Sequence, residues 1–554
     1  MNLKRASFIA FAALAGCISC VNTNNRLGED FLASDSQYDL YTTEADITDI
    51  RMAKVDSLSG YSSDKIVIGA IRDERYGLTT RGCVLTLVPA INEIDMGTNP
   101  EFVKFRFTAV ADTTSVADEN QQHIIQNVNV YELTERMGSK DYYAGSKVKY
   151  DDTHRISRGQ VIYSGQDSLA FDFSEEYGKR YMNILASDLD SLGAYLKKFP
   201  GIYITVDEPR GIGGRIDKFN LKAFTVASSS YYSSSDVSWN GNLAELKYRS
   251  TYDGVRKDTS LLFYFSPAKL YNLDSLIAKS ASAISDINQY AFNTSSHESE
   301  EMEGPATDRI YVEGGTGIKP MIPAGGLRDL IRDEIAKYGD PDAAVITKAT
   351  IELPFIFPDD YTKMFLYPKV LSPTARLRVD EDVAFASLSD ANISTENQGK
   401  INRSTLKYSP DITLHAQQLI RKDPEDENFS NFDIWFLIMD EEVTTTSNND
   451  EMSDYYRQMA YYSYYNSLYG GGYGGYGGYG YGGYGGYGGY GGGYGYNNYL
   501  YLSMMMMGSG SQTTTSTQTV LDKDDFYDAV LVGPTATDFD ERPKIKLTFG
   551  IPKN

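Results

Sequence analysis

The apolar residues of this chain come in short runs that alternate, and that pattern limits what it can fold into. Val128-Asn129-Val130-Tyr131-Glu132-Leu133 places every second side chain on one face, as do Leu169-Ala170-Phe171-Asp172-Phe173 and Ala349-Thr350-Ile351-Glu352-Leu353. A period of two belongs to a strand with one buried face. Ile66 to Ile71, a charged turn at Asp73-Glu74-Arg75, and Gly77 to Thr80 read as strand, turn, strand. Val84 to Val88, Phe102 to Phe107, Ile202 to Val206, Leu246 to Tyr248, Leu261 to Phe265, Arg309 to Val312, Ala529 to Val532 and Lys544 to Phe549 add further strands. Ile434 to Met439 is continuously apolar and reads as a strand buried on both faces. Gly211 to Gly214 and Gly314 to Gly317 read as turns.

Helical spacing is rare. Leu189, Leu192, Tyr195, Leu196 and Phe199 predict a helix over 188–199, ended by Pro200-Gly201. A second is predicted over 327–338, ended by Gly339. Residues 270–287 have a helical pattern, and 412–420 fit a short helix or a strand. The expected class is mainly β: two β-sandwich, jelly-roll-like domains with a few short helices and one long Tyr/Gly-rich loop. Each half runs through strands, a short helix before a strand, and a closing strand, which suggests a tandem duplication. The expected division is a tether at 17–38, a first sandwich at 39–267, a junction at 268–308 and a second sandwich at 309–554. The second is interrupted by a low-complexity insert at 444–520.

The first sixteen residues read as a signal peptide. Lys4 and Arg5 precede an apolar stretch from Ala6 to Ala15, about ten residues and too short for a bilayer span. Leu14, Ala15 and Gly16 then lead into Cys17, the pattern a lipoprotein signal peptidase needs before a diacylated thiol. Cys20 is the alternative, although its third preceding residue is Cys17 rather than leucine. Several acyl chains on one cysteine anchor a protein stably. The residues straight after Cys17, Ile18 to Asn25, include no acidic side chain, which slightly favours the periplasmic face of the outer membrane over the cell surface. Cys83 is expected to be a small buried apolar residue rather than a disulfide partner of Cys20.

A net charge of −23 and a pI near 4.7 argue against nucleic-acid partners and against electrostatic binding to anionic lipid. The insert from Tyr455 to Tyr501 is mostly tyrosine and glycine. Tyr473, Tyr476 and Tyr479 recur every third residue, as do Tyr481, Tyr484, Tyr487 and Tyr490. That much glycine opposes a packed element, so the insert reads as a flexible loop. The rings also make it a candidate self-associating or sugar-stacking strip.

No catalytic motif emerges. His123, His154, His297 and His415 lack zinc-site spacing and read as solvated or structural. Asp188 opens a calcium-loop imitation, but Phe199 stands where the bidentate glutamate belongs. Asp522, Asp524, Asp525 and Asp528 read as a charged turn, with calcium as the alternative. No nucleophile elbow or Walker loop occurs, and no cofactor is implied.

The motif pieces, in order, are Leu14 to Cys17, Ile68-Gly69-Ala70-Ile71-Arg72-Asp73 with Tyr76-Gly77, Val130 to Leu133, Phe199-Pro200-Gly201-Ile202-Tyr203-Ile204, Tyr311 with Gly317, and Ala349 to Leu353. Together they resemble the Bacteroidota lipoproteins grouped as domain of unknown function 4270, from about residue 30 to about residue 550. The chain departs from that pattern in its Tyr/Gly insert and at Pro200, where a lysine is expected. The resemblance implies an outer-membrane location and transfers no catalytic residue. The function expected is a non-enzymatic, membrane-anchored binding, accessory or envelope-assembly component with an outer-membrane protein as partner. The alternatives are a glycan-binding or glycan-processing protein and an adhesin that uses the Tyr/Gly strip.

Overall fold

The computed structural model describes residues 38–553 apart from 63–64, 90–93, 113–123, 138–142, 191, 222–223, 229–236, 241–242, 266–267, 270–290, 380–381, 389, 394–397, 447–513 and 539–540. The signal peptide, the tether up to residue 37, His123, the helical pattern at 270–287 and the Tyr/Gly repeats all lie outside the described residues. What is described is mainly β, with several antiparallel sheets and few helices.

Two apolar cores organise it. The first lies between two sheets. One runs Val161–Tyr163, Gln126–Leu133, Ile202–Val206, Gly77–Leu85, Ala291–His297 and Tyr61–Ser62, with Lys65–Asp73 paired to Gly77–Leu85. The other runs Ser168–Asp172, Thr98–Val110, Leu243–Tyr252, Val255–Tyr264 and Val88–Pro89. Ile68, Cys83 and Leu85 from the first sheet meet Phe105, Phe107, Leu246 and Phe263 from the second, all buried. Burying a side chain of this size is worth about 1.5–3 kcal/mol, so alternation at these positions decides which way each strand faces. Helices Glu175–Met182 and Leu192–Lys198 cover one end, placing Tyr181 5.1 Å from Phe105 and 4.5 Å from Phe199. Gly69, at φ +146°, lies against the backbone of Arg215 and Ile216, where a Cβ would collide.

The second core sits between another pair of sheets. One runs Tyr38–Asp46, Lys544–Pro552, Val345–Pro354, Lys407–Tyr408 and Ile401–Asn402. The other runs Gly304–Pro305, Arg51–Lys54, Ile318–Ile322, Ile434–Thr446, Val370–Val379 and Asp382–Ser387. The ribbon of Arg309–Glu313 with Asp528–Val532 adds Ile310, Val312 and Leu531 to this core. Helix Ala324–Ala336 packs Leu327, Ile331 and Ile335 into it.

This arrangement corrects the expected division. Tyr38–Asp46 pairs with Lys544–Pro552, Arg51–Lys54 pairs with Ile318–Ile322, and Ile47 and Ile50 are buried in the second core. The first strands therefore belong to the second sandwich. The expected junction at 268–308 contains Ala291–His297, a strand paired along Gly77–Leu85 inside the first sandwich. Of its inward residues only Ala291 is apolar and Asn293, Ser295 and His297 are polar, so no apolar alternation reveals it. The helix expected over 188–199 is a 3-10 turn, Ala186–Leu189, followed by Leu192–Lys198. The glycine turn at 211–214 runs directly into the strand Gly213–Asn220. The two halves do not repeat one pairing plan, because the first chain segment closes the second sandwich rather than the first.

Candidate functional site

The polar residues excluded from both cores collect where the sandwiches meet. Strand Gly77–Leu85 supplies Thr79 and Arg81, Ala291–His297 supplies Ser295 and His297, and Arg309–Glu313 ends in Glu313. The Gly314–Gly317 loop and Lys319 follow. Thr79, Arg81, Ser295, His297, Ser299, Glu313, Thr316 and Lys319 are all buried.

Glu313 is the hub. Its Oε1 accepts from Thr79 Oγ1 at 2.7 Å and from His297 Nδ1 at 2.6 Å, and its Oε2 accepts from Ser299 Oγ at 2.6 Å. Burial alone would raise its pKa. The His297 contact and the two hydroxyl donors outweigh this and hold the carboxyl down at about 2. Burial lowers the His297 pKa, against the pull of Glu313. A neutral imidazole with Nδ1–H toward Glu313 leaves Nε2 to accept from Ser295 Oγ at 2.6 Å, which assigns the tautomer.

Lys319 Nζ donates to the carbonyls of Glu313 at 2.9 Å, Gly315 at 2.6 Å and Gly317 at 3.3 Å. Burial pushes its ammonium down to about 7. Glu313 opposes that shift, and so do the three carbonyls, because a neutral amine has only two protons to offer them. The glycine loop thus cradles the protein's own cations. A Cβ at Gly315 would run into the Arg81 guanidinium, and one at Gly317 into the Glu313 carboxylate. Gly315 is left-handed at φ +56°, which favours glycine there.

The Ser295–His297–Glu313 chain has the order and spacing of a nucleophile, a base and an orienting acid. Its surroundings disable it. Ser295 Oγ also accepts from Arg81 Nη1 and from Thr316 Oγ1, the latter at 3.1 Å, so both its lone pairs are engaged. The adjoining cavity, lined by Arg81, Asn293, Ser295, Thr316, Lys523 and Asp524, is no larger than a water molecule. The cluster is a structural lock between the two bodies. Arg81 Nε and Nη2 face no hydrogen-bond acceptor among the described residues; burial lowers the pKa of this guanidinium, and the charge of Asp524, Glu313, Asp522 and Asp525 opposes that only in part.

Beside the lock, the turn at 73–77 reaches into the second body. The Tyr76 hydroxyl donates to the carbonyls of Val312 and Ala529, both at 3.3 Å, and its ring meets Tyr311 edge-on at 6.2 Å. Arg75 lies over both rings and pairs with Asp528. Tyr76, Gly77, Tyr311 and Gly317, from separate stretches of the chain, therefore converge on this seam.

The other expected residues are placed as follows. Asp522 caps its own turn, accepting from the backbone of Asp524 and Asp525 at 3.1 Å and from the Tyr527 hydroxyl at 2.6 Å. Asp525 pairs with Lys218. Asp188 pairs with Lys198 at 2.5 Å. His154 is exposed beside Asp151, and His415 is buried, its Nε2 donating to the Phe432 carbonyl at 3.0 Å. Burial lowers His415 to about 4, so it is neutral and its Nε2 carries the proton that the carbonyl accepts. Cys83 is buried and unpaired. Leu14, Ala15, Gly16, Cys17, Cys20, Tyr473, Tyr476, Tyr479, Tyr484, Tyr487 and Tyr490 lie outside the described residues.

A second feature lies on the surface. After strand Val345–Pro354 the chain turns through Phe357 and a 3-10 helix, Tyr361–Leu366. Asp360 caps it, accepting from Thr362 N at 3.0 Å, while Met364 and Leu366 point inward. Phe357, Tyr361 and Phe365 stay exposed, Tyr361 to 74%. None of the three has a ring partner among the described residues.

Comparison of the chain with protein-family models, curated proteins and solved structures finds no match.

Proposed function

We propose that this chain is an outer-membrane lipoprotein, anchored through Cys17, that acts as a non-enzymatic binding or accessory component of the envelope. The Leu14-Ala15-Gly16-Cys17 pattern supports the anchor. The observation that carries the binding role is the exposed turn of Phe357, Tyr361 and Phe365. Rings held outward on a capped turn lose little entropy on meeting a partner and bury much apolar area. The turn stands at the end of its sheet opposite Tyr38, where the tether joins, roughly 30 Å away along a nine-residue strand. A partner in the envelope is the reading favoured here.

The test is co-purification of the tagged chain from its own outer membrane in mild detergent. A stoichiometric membrane protein that is lost from the Phe357→Ser, Tyr361→Ser, Phe365→Ser triple variant supports the reading. A chain that emerges alone, or a partner indifferent to the triple change, overturns it. The same unpartnered rings suit stacking on sugar faces, which supports a glycan-binding reading. Glycan-array binding that disappears in the triple variant would select it.

A further inference from the structure

Tyr38–Asp46, Lys544–Pro552 and Val345–Pro354 form one antiparallel surface. The register sorts their side chains. Tyr41 packs against Tyr338, just past the helix Ala324–Ala336, with ring centres 4.7 Å apart, and Thr43 Oγ1 donates to Glu334 at 2.9 Å, so the odd positions of the first strand face that helix. The even positions face outward. In rows, Tyr38 lies opposite Pro552, Leu40 opposite Gly550 and Gly550 opposite Val345. The next rows are Thr42, Thr548 and Lys348, then Glu44, Lys546 and Thr350, then Asp46, Lys544 and Glu352. The outer face is therefore apolar at one end and charged at the other. Tyr38 is 44% exposed, Leu40 68% and Val345 37%. Gly550 has no side chain to separate Leu40 from Val345, and the Tyr38 side chain rests beside it.

We propose that this face, with Tyr38, Leu40 and Val345 foremost, lies on the bilayer that anchors the chain. This rests on the lipid-anchor reading. The occupant is chosen by where the preceding chain leads. Cys17 is about twenty residues before Tyr38, so the lipid is covalently attached to the strand that carries the patch and lies within roughly 70 Å of it at full extension. Three half-exposed apolar side chains are too few to recruit a soluble protein to a membrane. Tethering makes the second contact intramolecular, at high effective concentration, and a small contact then suffices. Lys348 in the next row and Lys553 beyond Pro552 sit at headgroup height once Leu40 and Val345 enter the interface. The charged end of the sheet, and the Phe357–Phe365 turn beyond it, then point away from the membrane.

The experiment uses the full lipidated chain in phosphatidylethanolamine–phosphatidylglycerol vesicles. A fluorophore is placed at Leu40→Cys or, as a control, at Tyr361→Cys, in a Cys20→Ser background where Cys83 is buried. Spin-labelled lipid should quench the label at residue 40 at least about threefold more than the label at residue 361, because only the first enters the acyl boundary. Equal quenching in a chain that still floats with the vesicles overturns the proposal and leaves the anchor standing. A chain that does not float refutes the anchor, and the proposal with it. Self-quenching at residue 40 with no lipid quenching overturns it in favour of a second copy pairing along the Tyr38–Asp46 edge.

Discussion

Replacing Glu313 by glutamine tests the lock directly. Glutamine keeps the shape, and its amide can donate to Ser299 while its carbonyl still accepts from Thr79 and His297. What it removes is the negative charge facing Lys319 and Arg81. Two independent routes give the cost. A carboxyl held at about 2 in the fold, against about 4.5 in the unfolded chain, contributes roughly 3 kcal/mol at neutral pH. Removing one member of a buried charge set costs about 3–5 kcal/mol. The expected loss for Glu313→Gln at pH 7 is thus roughly 3 kcal/mol. Because the folded pKa is depressed, this stability is complete above about pH 5 and disappears as pH falls from about 4.5 toward 2. Urea unfolding followed by circular dichroism, repeated from pH 7 to pH 2.5, should show parent and variant converging as the acid is added. A difference under about 1 kcal/mol at pH 7, or one that does not change with pH, would refute the assignment of Glu313 as an ionised hub.

Lys319→Met should change the opposite end of the pH scale. The parent's folded Lys319 titrates near 7 and its unfolded one near 10.5, so the unfolded chain binds the extra proton between those values and parent stability rises with pH there. The variant should lack that rise and lose about 1–3 kcal/mol at pH 7 from its orphaned carbonyls, as read by urea unfolding at pH 7 and 9.5. Deleting residues 469–501 should leave the melting temperature within about 2 °C of the parent, because Ile434–Thr446 pairs with Thr514–Leu521 on either side of the insert. A large drop in calorimetry would show that the repeats hold the fold. If attachment to surfaces is lost while the melt is unchanged, the adhesin reading gains.

Strands were legible where one face is apolar. Phe105, Phe107 and Ala109 are buried and Arg106 and Val110 are exposed, so the period of two in the chain is the period of two in the sheet. The same rule hides Ala291–His297, whose inward side chains from Asn293 to His297 are polar because they face another polar surface. It also hides the lock. Arg81, His297, Glu313 and Lys319 come from four separate segments, and no spacing along the chain joins them. The local trace they leave is a lone charged or polar residue at an inward position, as Lys319 is between Ile318 and Ile322. Domain limits were the least legible, because alternation tells a strand which way to face and not which strand to join. Tyr38–Asp46 could not be assigned to the distant Lys544–Pro552 from pattern alone.

That last pairing fixes an order of events. Synthesis delivers Tyr38–Asp46 long before Lys544–Pro552, yet each is the other's partner. The first sandwich is built from residues 61–297 and can close once these are made. Tyr38–Asp46 must meanwhile wait, with unpaired backbone and Leu40 exposed, until Lys544–Pro552 arrives. Contacts of such long sequence separation form slowly and leave edges open to misassembly. A strand made early is thus paired late, and in the interval its open edge is the part of the chain most exposed to wrong partners.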